Sequence, residues 1–289
     1  GYIRVEGGNI WYKIVGTGNK IPVLVMHGGP GSRSCTMIPG LSPLGKDRQV
    51  IFYDQLGSGN SDRPTDTSLW RIERFVDEID VLRQALKLNE VHMLGHSCGG
   101  TFLMEYLVTK KPKGIKSVIF SSPMLNTETW INDAKILLNT LPQSIQDTIS
   151  KYEQLGEYSS SSYLAATDTF YSQYLTRKSW PYEKTTECEN ALGFNEQVYN
   201  YMWGPTEFTA TGTLKNFDRT AEISEIAEPI LFITGEHDEA RPETMHEFQN
   251  LAQDAQLRIV KEAAHMTMVD QPERVVKYIS SFLDSVERR

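Results

Sequence analysis

The chain has 289 residues with 39% apolar, 10% aromatic and 23% charged side chains, the balance of a globular protein with an ordinary core. Its formal net charge of -8 argues against nucleic acid or an anionic membrane as the main partner, and no apolar run approaches the roughly 20 residues of a spanning helix. Cys35, Cys98 and Cys188 stand at unrelated spacings, without the repeats of a metal site or the density of a disulfide scaffold, so a reducing, cytoplasmic setting is the simplest expectation.

In chain order, "YIRVEGGNIWYKIVG" carries two alternating segments about Gly7-Gly8, the pattern of a β-hairpin. "IPVLVMHGG" and "QVIFYDQLG" are near-continuous apolar runs that end in glycine, as strands buried on both faces of a parallel sheet require. "FVDEIDVLRQALKL" puts Phe75, Ile79, Leu82 and Leu86 on one helical face, and "EVHMLG" returns to strand. After Gly99 an apolar helix runs to about Val108, then come strands in "SVIFSSP", "PILFITG" and "QLRIV", and an amphipathic helix from about Pro272 to Val286. The alternation predicts an α/β fold with a mostly parallel, doubly wound sheet opened by an antiparallel hairpin.

One region breaks the rhythm. Between Pro123 and Pro229 no strong strand occurs, while "WINDAKILLNTL" is helical in pattern. Aromatic residues crowd there: Tyr163, Phe170, Tyr171, Tyr174, Trp180, Tyr182, Phe194, Tyr199, Tyr201 and Trp203. About a hundred residues is too long for a loop, so a helical cap is expected over residues 124–215, inserted into a core made of residues 1–123 and 216–289. Most of the aromatics are expected to pack the cap itself, with a few lining a pocket beneath it.

The candidate chemistry begins at Gly95-His96-Ser97-Cys98-Gly99, a Gly-x-Ser-x-Gly spacing between the strand "VHML" and a helix. A sharp strand-to-helix turn lifts the serine above the sheet, and the flanking glycines let strand and helix approach. A serine is a weak nucleophile, so a base and an orienting acid are required in the order serine, acid, histidine. His265 follows the strand "LRIV" in "KEAAHMTM", and Asp238 follows "PILFITG" in "GEHDEARP", both at the carboxyl ends of strands where such sheets place their sites. His27, His92, His96, His237 and His246 are read as structural. For an oxyanion hole, the N-H of Cys98 and that of Gly29 in "HGGPG" are the expected donors, because glycine lets the backbone reach a substrate.

Taken together, "HGGPG", "DQLGSGNS", "GHSCGG", "GPTEFTATGTLKNFD", "GEHDEARP" and "AAHMTMVDQPE" resemble the proline iminopeptidase branch of the α/β-hydrolases, serine aminopeptidases that include tricorn-interacting factor F1, over nearly the whole chain. The sequence departs from that branch in having His96 before the serine and Cys98 after it. The resemblance implies release of N-terminal residues from short peptides or aminoacyl amides, with no metal or organic cofactor. It also implies that Glu207 and Glu239 bind the substrate amino group. Paired carboxylates suit that purpose, since they offset the desolvation of an α-ammonium and select against acylated nitrogens. The same triad would equally serve an amino acid amidase, an esterase or a lactonase, and which first residue is preferred stays open.

Overall fold

The computed structural model describes residues 1–178, 188 and 191–289, so Trp180 and Tyr182 lie outside the described residues. Eight strands form one sheet: β1 (Tyr2–Val5), β2 (Gly8–Val15), β3 (Lys20–Met26), β4 (Arg48–Tyr53), β5 (Val91–His96), β6 (Ile115–Ser121), β7 (Ile230–Gly235) and β8 (Ala255–Val260). Their spatial order is β1-β2-β4-β3-β5-β6-β7-β8. The opening hairpin β1–β2 and the β2–β4 pair are antiparallel; every other pair is parallel.

Alternation along the central strands explains why they read as continuous apolar runs. Leu24, Ile51, Met93, Val118, Phe120, Ile230 and Phe232 enter the core on one face. Val23, Val25, Val50, Phe52, Leu94, Ile119, Leu231 and Ile233 enter the core on the other. Successive side chains point to opposite faces, so a strand covered on both sides needs an apolar residue at every position.

The covering helices are α1 (Ile38–Leu41), α2 (Ile72–Ala85), α3 (Cys98–Lys110), α8 (Pro242–Leu251), α9 (Thr267–Asp270) and α10 (Pro272–Glu287), and between β6 and β7 lie α4 (Thr127–Leu138), α5 (Gln143–Leu155), α6 (Ser161–Tyr174) and α7 (Glu196–Met202). In α10, Val275, Ile279, Phe282 and Leu283 are buried at helical spacing, with Pro272 and Glu273 in the first turn. In α2, Phe75, Ile79 and Leu82 face the core and Leu86 caps the carboxyl end. Asn126 and Ser160 cap α4 and α6 by accepting the N-H groups of Thr129 and Tyr163, which satisfies donors a helix leaves unpaired. The α4–α7 segment has its own apolar cluster, in which Phe170 sits 4.9 Å from Tyr174 and 5.0 Å from Phe208, ring centre to ring centre.

The cysteines depart from expectation. Cys35, just after "HGGPG", forms a disulfide with Cys188, 153 residues away, while Cys98 is free and buried. Spacing gives no hint of such a pair, because one partner belongs to the core and the other to the inserted segment. The expectation of a reducing compartment rested on unpaired cysteines and loses that support. Opening a loop of this length removes a large constraint on the unfolded chain, typically ~2–5 kcal/mol. Cys35→Ser is therefore expected to lower the thermal midpoint by roughly 5–15 °C, at about 2–4 °C per kcal/mol. Calorimetry of the oxidised parent and the variant checks this, and equal midpoints would refute it. Among the described residues, no helix is long and apolar enough to cross a membrane.

Candidate active site

Ser97 follows β5 and stands immediately before α3, with φ 53° and ψ -126°. A left-handed φ is strained for a residue bearing a Cβ and persists where the surroundings enforce it. Enforcement comes from both sides: Ser97 N-H donates to Ser121 O at 3.0 Å and Ser97 O accepts from Gly100 N-H at 2.8 Å. Close approach decides the neighbouring residue type, since a Cβ at Gly99 would lie 2.5 Å from Met26 O and 2.6 Å from His27 O.

Asp238, in the turn after β7, is fully buried and saturated with donors. Oδ1 accepts from His265 Nδ1 at 2.9 Å and Ala240 N-H at 2.8 Å; Oδ2 accepts from Ser122 Oγ at 2.6 Å, Gly235 N-H at 2.9 Å and Thr234 Oγ1 at 3.0 Å. Burial opposes its ionisation, but His265 and these donors outweigh burial and hold its carboxyl below the usual range. An ionised Asp238 only accepts, so His265 Nδ1 carries a proton and Nε2 is turned toward Glu239.

His265 follows β8 and is buried. Its backbone N-H donates to Tyr174 O at 3.0 Å, and the neighbouring Met266 N-H donates to Leu175 O at 2.9 Å. The His96 ring packs at 4.7 Å on one side of His265, and the Trp130 ring meets it edge-on at 5.6 Å. Burial, with the nearby His265, pushes His96 down to about 3, so it is a neutral wall. Its Nδ1 lies 3.1 Å from Ser121 O, which fixes the ring.

The "HGGPG" loop lies over the serine. Gly29 has φ +113°, and a Cβ there would sit 2.7 Å from Ser32 N, so only glycine fits. The loop is braced by "DQLGSGNS": Gln55 Nε2 donates to His27 O at 2.8 Å, and Gln55 N-H donates to His27 Nε2 at 3.1 Å. Asp54 accepts from Ser34 N-H and Ser34 Oγ, both at 2.7 Å, and from Asn60 N-H at 2.8 Å. Gly29, Ser97, Cys98, Met124, Trp130, Tyr199, Trp203 and Glu207 line one narrow pocket. The Cys98 thiol is buried among core residues, and burial pushes it well above the ordinary thiol range. A thiol held protonated is a poor nucleophile.

Glu207 and Glu239 arrive from different elements. Glu207 accepts from Tyr199 Oη and, at 3.3 Å, from Trp130 Nε1. Burial raises it above the ordinary carboxylate range despite those donors. Glu239, buried beside Asp238, holds Oε1 3.6 Å from His265 Nε2. Burial pushes it well up and the charges of Glu207 and Asp238 add to that, while His265, second only to burial, pulls it down. Among the described residues neither carboxylate pairs with a lysine or arginine. His237 and His246 are exposed, and His92 bonds Ser117 and Glu287 in the core.

The structure therefore brings together Ser97, Cys98, Gly29, Asp238, His265, Glu207 and Glu239. Ser122, Thr234, Trp130 and the Tyr174 carbonyl were not expected from the sequence, nor was a part for His96 beside His265, whereas Tyr199 and Trp203 belong to the aromatics of which a few were expected to line a pocket. Ser122 alone carried a local signal, in the polar end of the strand "SVIFSSP". Among the described residues no group of three or more His, Cys, Asp or Glu side chains is placed to hold a metal ion.

Residues 21–272 match the family model described as alpha/beta hydrolase fold. A proline iminopeptidase of Heyndrickxia coagulans is 45% identical over 291 aligned positions, covering 99% of each chain. One of Clostridium botulinum is 34% identical, covering 98% of this chain and 97% of its own. The crystal structure of a proline iminopeptidase from Mycobacterium smegmatis superposes with a TM-score of 0.87 at 28% identity, covering 99% of this chain and 97% of that one.

Proposed function

Because this chain belongs to the alpha/beta hydrolases, and within them to the proline iminopeptidases, we propose that it is a serine aminopeptidase that releases N-terminal proline from short peptides. Ser97 is the nucleophile, His265 the base and Asp238 its orienting acid. The Ser97 hydroxyl attacks the prolyl carbonyl as its proton passes to His265 Nε2. The N-H groups of Gly29 and Cys98 hold the developing oxyanion, and His265 then protonates the leaving amine. Water repeats the sequence on the prolyl-enzyme, restoring Ser97. Residues 124–215 act as a cap over the site, which limits entry to short chains and keeps bulk water out.

One observation carries the peptidase reading over a simple esterase: Glu207 lines the pocket and Glu239 lies against His265 Nε2, with no lysine or arginine beside either among the described residues. Two buried acids without a lysine or arginine partner stabilise a ligand cation, and a free N-terminal imino group supplies one. The flat walls of Trp130, Tyr199 and Trp203 suit a pyrrolidine ring.

The test sets prolyl arylamide against its N-acetyl derivative. The free compound is expected to be cleaved at least about 100-fold faster, as a lost buried ion pair of 3–5 kcal/mol implies. Equal rates would overturn amino-group recognition and favour an esterase or a general amidase. Alanyl and leucyl arylamides in the same assay rank the side-chain preference.

A further inference from the structure

Three carboxylates, Asp238, Glu239 and Glu207, act on one imidazole. Asp238 holds the Nδ1 side of His265. On the other side Nε2 is 3.6 Å from Glu239 Oε1, and among the described residues no hydrogen bond joins Nε2 to Ser97. Among the described residues the remaining groups around the ring and its glutamates bring no cation: His96 from β5, Trp130 from α4, the Tyr174 carbonyl and Tyr171 from α6 and, on Glu207, the Tyr199 hydroxyl from α7. His96 is neutral. A buried carboxylate ionises only with a cation close by, and among the described residues the side chain placed to supply one to Glu239 in the free enzyme is His265.

We propose that Glu239 couples amine recognition to catalysis: in the free enzyme its carboxylate pairs with protonated His265 and keeps that ring from serving Ser97, and a bound substrate ammonium takes the carboxylate over and releases the base. This inference rests on the peptidase reading above and adds to it. In the release step the Nε2-H bond breaks, the electron pair stays on Nε2 and the proton passes to water. The substrate nitrogen keeps its own protons and sits between Glu239 and Glu207. No other bond changes. A ligand without a cation leaves His265 protonated and Ser97 silent.

The electrostatics agree with the geometry. Burial works against the imidazolium, yet Glu239, Asp238 and Glu207 together outweigh it and hold His265 up at about 9. Burial raises Glu239 in turn and His265 pulls it back down, so the ring keeps its proton while that carboxylate is ionised and becomes a base when the pairing is lost.

Two measurements on the intact enzyme decide the matter. Phenylmethanesulfonyl fluoride carries no amine, and its reaction with Ser97 forms an O-S bond, expels fluoride and passes the hydroxyl proton to His265. Its rate against pH therefore reports the base of the free enzyme. The kcat of a prolyl arylamide against pH reports the base in the complex. A sulfonylation midpoint above 8, with the kcat midpoint at least one unit lower, is the expected result. A sulfonylation midpoint below 8, or a gap smaller than one unit, overturns the proposal.

Glu239→Gln separates this proposal from the reading beneath it. The variant is expected to raise KM for the prolyl arylamide and to speed sulfonylation at pH 7 by about tenfold, the effect of a one-unit fall in midpoint. Unchanged KM and kcat would defeat amine binding by Glu239. A raised KM with an unmoved sulfonylation profile would defeat the coupling alone. If the variant does not fold, the two wild-type profiles still decide.

Discussion

Ser97→Ala is expected to lower turnover of a prolyl arylamide by about 10⁵- to 10⁶-fold while leaving the fold in place, the scale seen when a triad loses its nucleophile. The expectation follows from the local geometry. Ser97 is held at φ 53° by its backbone bonds to Ser121 and Gly100, and the side chain accepts no structural hydrogen bond among the described residues. Removing the hydroxyl therefore deletes the nucleophile and little else. The checks are single-turnover assays with a thermal melt of the same sample. Retained turnover within tenfold of the parent would refute the assignment, and would point to water as the nucleophile, since Cys98 is buried and protonated.

The second large effect belongs to Asp238→Asn, expected to reduce kcat by about 10⁴-fold at neutral pH. Asp238 accepts five hydrogen bonds and donates none. An asparagine amide offers one oxygen to those donors and turns an NH₂ group toward the rest. If the NH₂ faces His265, the ring must present an unprotonated Nδ1, and its proton moves to Nε2. That is the wrong tautomer to accept from Ser97. If it faces Gly235 and the hydroxyls, the buried Gly235 N-H meets a donor while the Ser122 and Thr234 hydroxyls can turn to accept, a loss of about 1–3 kcal/mol in stability. The kcat of the variant with its melting curve distinguishes these cases. A kcat within tenfold of the parent would show that Asp238 does not orient the base.

Much of the core was legible because it rests on local pattern. Apolar runs ending in glycine mark β3, β4, β5 and β7, since strands covered on both faces admit few polar residues. The turn around Ser97 was legible for the same reason: its glycines answer to contacts a few residues away. Asp238 and His265 could be picked out from their place after strands. What escaped was set by contacts across long separations. Ser122 meets Asp238 over 116 residues, and Cys35 meets Cys188 over 153. His96 looked like one more member of a glycine-rich turn; only the arrival of His265 beside it, 169 positions later, makes it a wall of the site. Glu207 and Glu239 were named through family resemblance, because a lone glutamate in a sequence does not declare which cation it awaits.

The carbonyl of Tyr174 has a practical consequence for redesign. It accepts the N-H groups of both Glu239 and His265, at 3.3 and 3.0 Å. A turn further on, the Asp270 carboxylate accepts from Thr176 Oγ1 at 2.8 Å, Arg177 N-H at 2.9 Å and Ala264 N-H at 2.9 Å. The carboxyl end of α6 is thus sewn into the loops that carry the base and one amine-binding acid. A chimera that imports α4–α7 from a relative to alter substrate choice would cut those stitches, unless residues 174–177 and 264–270 travel as one graft. Libraries aimed at a new side-chain preference should hold that seam fixed and vary the walls at Met124, Trp130 and Trp203, which line the pocket from outside it.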